Sequence, residues 1–148
     1  AYSLLDLDSA IDASTGKTVW RTKESMVRET VSLSEDKRRI YSKTMNDSVV
    51  CYSATTDFPE KIWASNVGFG YEHAPSMPVE KEGVVFGSTK NGLMFGLDAH
   101  TGKVLWKHKV GNSLISTLVP LSKNKCLFTA PGGEIGLLVI DYKINKHK

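Results

Sequence analysis

The stretch LDAHTGKVLWK, Leu97 to Lys107, sets a carboxylate (Asp98), an imidazole (His100), a hydroxyl (Thr101) and an amine (Lys103) close together. Those are the groups that proton transfer and nucleophilic chemistry draw on. Nearly the same words stand eighty-six residues earlier in AIDASTGKTVWR, Ala10 to Arg21, where Asp12, Thr15 and Lys17 recur but Ser14 replaces His100. No shared chemistry therefore rests on the histidine. What both copies conserve is Asp-Ala-x-Thr-Gly-Lys-x-x-Trp, a set that suits a turn better than a reaction centre. The remaining reactive residues are scattered: Cys51 and Cys126 lie in separate apolar runs and read as buried free thiols, and the four histidines do not cluster. APGGEIG, Ala130 to Gly136, is rich in glycine but lacks the Lys-Ser/Thr ending and the following helix of a phosphate-cradling loop, so it reads as a hairpin turn.

The elements that carry these residues repeat. Trp20, Trp63 and Trp106 are spaced by 43 residues twice over, a period that fits a four-stranded propeller blade. IYSKTMNDSVVCYSA (Ile40 to Ala54) aligns without a gap on VFGSTKNGLMFGLDA (Val85 to Ala99), each reading as a strand, a turn at Asn46-Asp47 or Asn91-Gly92, and a second strand. Asn-Gly predicts a two-residue type I′ hairpin with positive φ at both positions. Asp12 and Asp98 are expected to accept hydrogen bonds from turn N–H groups, with Gly16 and Gly102 in a conformation closed to branched residues. The middle copy, YSATTDFPEKIW, has Ser53 in the aspartate's place and a turn longer by two residues, yet it keeps Trp63. A fourth unit starts near Leu118, with Pro120 and Phe128 matched to Pro78 and Phe86 at a spacing of 42.

Composition sets outer limits. A chain of 148 residues, 41% apolar and 24% charged, can bury a sizeable core. Its net charge of +3 is spread out apart from Lys37-Arg38-Arg39 and the tail from Lys143, which reads as a solvated turn and a terminus, not as a nucleic-acid footprint. No apolar run reaches the ~20 residues that a membrane-spanning helix needs. AYSLLDLDSA has no basic start and carries Asp6 and Asp8, so it does not read as a signal peptide.

The repeated motif resembles A-x-D-x-x-x-G-K-x-x-W, the tryptophan-docking signature of quinoprotein-type (PQQ-like) β-propellers. Ala10, Asp12, Gly16, Lys17 and Trp20 match it throughout; Asp98, Gly102, Lys103 and Trp106 match all but the leading alanine, which is Gly96. The resemblance implies an all-β fold, a β-propeller of four-stranded antiparallel blades. About three and a half blades are expected here, at residues 1–23, 24–66, 67–109 and 110–148. It also implies that Asp12, Gly16, Trp20, Trp63, Asp98, Gly102 and Trp106 are structural blade-docking residues. Closed propellers have four to eight blades, so the ring would be completed by further blades of a longer chain or by a second copy.

Catalytic members of that family hold pyrroloquinoline quinone and calcium beside a pair of adjacent cysteines. This sequence has no such pair and no position that matches the catalytic aspartate, so neither cofactor is expected. The resemblance points to the non-catalytic branch, which includes outer-membrane assembly lipoproteins and appended propeller domains. The expectation is a binding or scaffolding module in the periplasm or at the cell surface, with a protein or carbohydrate partner and no nucleic acid. The alternatives are a ligand-sensing accessory domain of a multidomain enzyme such as a phosphoesterase, and part of a quinone-dependent dehydrogenase. One loop, VGFGYEHAPSMP (Val67 to Pro78), concentrates Phe69, Tyr71, Glu72 and His73. These could contact a ligand or partner at the ring mouth, or form an ordinary blade connection in which the two aromatic residues pack.

Overall fold

Hairpin follows hairpin along the chain. The computed structural model describes residues 9–21, 31–44, 46–71, 77–115 and 117–145. Strands β1 (Ser9–Ile11) and β2 (Thr18–Arg21) form a two-stranded sheet. Next come two four-stranded sheets in sequential order: β3 (Ser32–Leu33), β4 (Arg39–Lys43), β5 (Asn46–Ser53) and β6 (Lys61–Tyr71), then β7 (Val79–Lys81), β8 (Val84–Ser88), β9 (Leu93–Asp98) and β10 (Val104–Lys109). A three-stranded sheet closes the series: β11 (Thr117–Ser122), β12 (Lys125–Thr129) and β13 (Ile135–Val139), followed by the short helix α1 (Tyr142–Asn145). Every pairing is antiparallel between chain neighbours, the pattern of successive propeller blades in an open arc.

The core lies between sheets, because a small sheet that is apolar on both faces can bury them only by stacking on its neighbours. Tyr41, Val49, Cys51, Trp63 and Val67 of the β3–β6 sheet pack on Val85, Phe95, Leu97 and Ala99 of the β7–β10 sheet. The opposite face of the latter, with Val84, Phe86, Met94 and Trp106, packs on Leu118, Cys126 and Ile140. Glycines make room for this stacking. A Cβ on Gly87 would lie 2.2 Å from the Phe95 ring, and one on Gly96 would lie 2.3 Å from the Trp106 indole.

Two local expectations need correction. Asn91 does not take positive φ; only Gly92 does (79°), and Thr89 N–H donates to Leu93 O at 2.9 Å across a three-residue loop, a type I turn with a left-handed glycine. The two-residue turn with both φ values positive is Glu82-Gly83 (50° and 80°). The match of Phe128 to Phe86 is one residue off. Ala99 N–H donates to Gly83 O and Ile140 N–H to Asn124 O, which makes Leu127 the counterpart of Phe86. Because side chains alternate along a strand, that single residue turns Phe128 toward the preceding sheet, with its ring over Gly136 of its own sheet.

Candidate functional site

The repeated motif forms the same turn twice. Asp12 Oδ1 accepts from Ser14 N–H (2.8 Å) and Thr15 N–H (3.2 Å), and Asp98 Oδ1 accepts from His100 N–H (2.8 Å) and Thr101 N–H (2.9 Å). The threonine hydroxyls accept from Lys17 and Lys103 N–H, both at 3.2 Å. Gly16 (φ 72°) and Gly102 (φ 75°) provide the left-handed residue that closes each turn. Hydrogen bonds from Ser14 and Thr15 hold the Asp12 carboxyl below its ordinary value. Burial alone would raise Asp98, but donation from Thr101 and His100 outweighs it and the result is again a lowered pKa. Both groups are thus anions committed to their own turns, not proton carriers. In the middle copy Ser53 Oγ takes the aspartate's part, accepting from Thr55 N–H at 3.1 Å.

Each tryptophan looks forward along the chain. Trp63 Nε1–H donates to Ala99 O (3.0 Å) in the turn of the next sheet, and a Cβ on Gly102 would lie 2.6 Å from its ring. Trp106 Nε1–H donates to the Tyr142 hydroxyl (3.2 Å), which in turn donates to Lys123 O (2.6 Å). Trp20 is buried with its ring 6.3 Å from that of Tyr52. The Gly102-Lys103 turn therefore receives the Trp63 indole of the preceding sheet, while Trp106 goes on to the following one. A Cβ on Gly16 would meet nothing within 4 Å among the described residues.

The aromatic loop divides. β6 bulges so that residues 67–70 face Asp47 alone, with Gly68 at φ 77°. The bulge delivers Phe69 to the core, where its ring stacks on Phe95 (6.4 Å) and lies 4.9 Å from Lys43 Nζ. Lys43 is itself buried and donates to Ser88 O at 2.8 Å. Tyr71 ends β6, while Glu72 and His73 lie outside the described residues. Cys51 and Cys126 are buried free thiols, pushed up to about 12 and about 11, in each case mainly by burial. Among the described residues no group of three or more His, Cys, Asp or Glu is arranged to hold a metal ion, and no helix is long and apolar enough to cross a membrane.

Sequence reasoning missed the clasp between hairpin turns. Glu35 Oε1 accepts from Glu82 N–H (2.5 Å), and Glu82 Oε2 accepts from Lys123 N–H (3.1 Å), linking three successive sheets. Glu80 joins it, accepting from the Tyr41 hydroxyl and from Glu35 N–H. No motif announces such pairs, because each crosses from one sheet to the next.

Solved structures share this architecture. BamB from Moraxella catarrhalis superposes with a TM-score of 0.70 at 17% identity, over 90% of this chain and 39% of that one. The computationally designed Ika8 protein gives 0.75 at 15% identity, over 91% of this chain and 40% of its own, and the designed Ika4 protein gives 0.72 at 16%, over 90% and 79%. The chain thus spans about two fifths of the length of BamB and of Ika8. No curated protein matches it by sequence. The family model described as outer membrane protein assembly factor BamB matches residues 57–144, more than half of the chain. The β-propeller read from the tryptophan period is thereby given its lineage: the chain belongs to the BamB family of PQQ-like propellers.

Proposed function

We propose that this chain is part of a non-catalytic propeller scaffold of the bacterial envelope, periplasmic or at the cell surface, that binds protein partners. One observation carries the reading. The polar groups of the repeated motif are spent on structure, with both aspartates bonded to turn N–H groups and the Trp63 N–H bonded to the next sheet. Residues of this kind hold blades together and leave function to the surfaces between and beyond them. The membership in the BamB family supports both the scaffold and the envelope location. Trp20, Trp63 and Trp106 act as docking residues, with Asp98 and Gly102 shaping the turn that receives the Trp63 indole and Asp12 and Gly16 shaping its counterpart in the first copy. Ile135, Leu137 and Val139 of β13, with Val119 and Leu121 of β11, leave an apolar sheet face exposed, and further blades of the same kind complete the ring there.

Phe69 supports the mouth of the 67–78 loop from within the core, and Tyr71, Glu72 and His73 contact the partner. Glu72→Ala with His73→Ala should abolish capture of the partner cross-linked from an envelope extract and leave the thermal midpoint unchanged. Titration with pyrroloquinoline quinone and calcium should leave the quinone absorbance unaltered. A stoichiometric absorbance change would overturn the non-catalytic reading, and a collapsed midpoint with capture intact would remove the loop from the contact surface.

A further inference from the structure

We propose that Lys107 is a positioning residue for the 67–78 loop: it fixes the strand register from which Tyr71 and the residues after it leave β6. This rests on the contact reading of that loop given above. Side chains alternate along β10, so Trp106 faces the following sheet and Lys107 the preceding one. There its Nζ donates to Val67 O, in the bulge of β6. The repeat does not call for a lysine at this place, since the residue that follows the tryptophan in the middle copy is Ala64. A methyl group cannot donate. Lys107 is a departure from the repeat, and it meets a departure in the neighbouring sheet.

Two registers compete at the end of β6. Ser48 pairs with Asn66 and Asn46 with Tyr71, so residues 67–70 stand against Asp47 alone. Carried on without the bulge, the same ladder would set Asp47 against Val67 and Asn46 against Gly68, and residues 69–71 would pass into the loop. Two grips hold the bulged arrangement. Phe69 stacks on Phe95 and lies 4.9 Å from Nζ of the buried Lys43. Lys107 pairs with Phe95 across β10 and β9, so both act from one face, Phe95 on the Phe69 ring and Lys107 on the Val67 carbonyl. Val67 is buried and has no register partner in β5, and a buried carbonyl needs a donor. A charged amine is a strong one. Without it the bulged register loses a charge-assisted bond, which shifts the balance toward the regular ladder about tenfold or more.

The test compares Lys107→Met, which keeps the apolar length of the side chain and removes the donor, with Lys107→Arg, which keeps a charged donor. Lys107 is exposed, so neither change cuts into the core. Proton–proton contacts in NMR spectra of isotope-labelled protein read the register. The wild type and the arginine variant should show the Asn46 backbone against Tyr71. In the methionine variant a second set, Asn46 against Gly68, should rise about tenfold or more in population, and the contact of the Phe69 and Phe95 rings should weaken in step. Undiminished Asn46–Tyr71 and Phe69–Phe95 contacts in Lys107→Met would overturn the proposal, even with a lowered thermal midpoint, because the bond would then add stability without setting the register. An arginine variant that slips like the methionine variant would overturn it too. A slipped register in a protein whose partner capture survives Glu72→Ala with His73→Ala would remove the contact reading and leave the role of Lys107 standing. An unslipped register with capture lost in that double variant would remove the role of Lys107 alone.

Discussion

Alanine at Gly102 meets two separate obstacles, and the fold contains a control that separates them. Gly102 sits at φ 75° and a Cβ there would lie 2.6 Å from the Trp63 ring, whereas a Cβ on Gly83, in the same sheet and at φ 80°, would meet nothing within 4 Å among the described residues. Left-handed backbone alone costs an alanine about 1–2 kcal/mol. Forcing an extra methyl into a packed contact adds about 1–3 kcal/mol. Gly83→Ala should therefore lose about 1–2 kcal/mol, and Gly102→Ala about 2–5 kcal/mol once the indole contact is added. Urea unfolding followed by tryptophan fluorescence and by circular dichroism reads both values, with equal slopes required for comparison. Equal losses in the two variants would mean that Trp63 yields freely, and the proposed joint between sheets would fail.

Other outcomes follow from the same contacts. Trp106→Ala removes a buried indole that packs on Phe86 and donates to Tyr142, and should lose about 3–5 kcal/mol in the same urea assay; a neutral result would contradict the stacking of the last two sheets. Cys51 and Cys126 should react with iodoacetamide only in denaturant, as their raised pKa values and burial require. Because the folded pKa of Cys51 lies above its ordinary 9.0, the unfolded chain releases that proton first. The stabilising contribution is then complete below about pH 9 and is lost as pH rises toward about 12, so Cys51→Ala should flatten the alkaline limb of stability against pH.

The period of the tryptophans and the two copies of the turn were legible because they are local: Asp98, Thr101, Gly102 and Lys103 satisfy one another within a few residues. What each turn receives was not legible. Gly102 reads from sequence as the closer of its own motif, yet the ring it makes room for belongs to Trp63, in the preceding sheet. The Glu35–Glu82–Lys123 clasp escaped for the same reason. Asn91-Gly92 outshone Glu82-Gly83 as a turn signal, although the strands flanking the latter pair Lys81 with Val84 and demand the tighter reversal. The loop residues illustrate a further limit, since the bulge at Gly68 that sends Phe69 inward depends on pairing with β5 and leaves no mark in composition.

Hydrogen exchange of the indole N–H groups, read by two-dimensional NMR, tests the central claim most directly. If tryptophans join successive blades, the Trp63 indole proton, bonded to Ala99 O, should exchange as slowly as the amides of β5 and β8 on either side of it. Exchange at the rate of a solvent-exposed indole, with those strand amides still protected, would contradict the joint and the scaffold built on it.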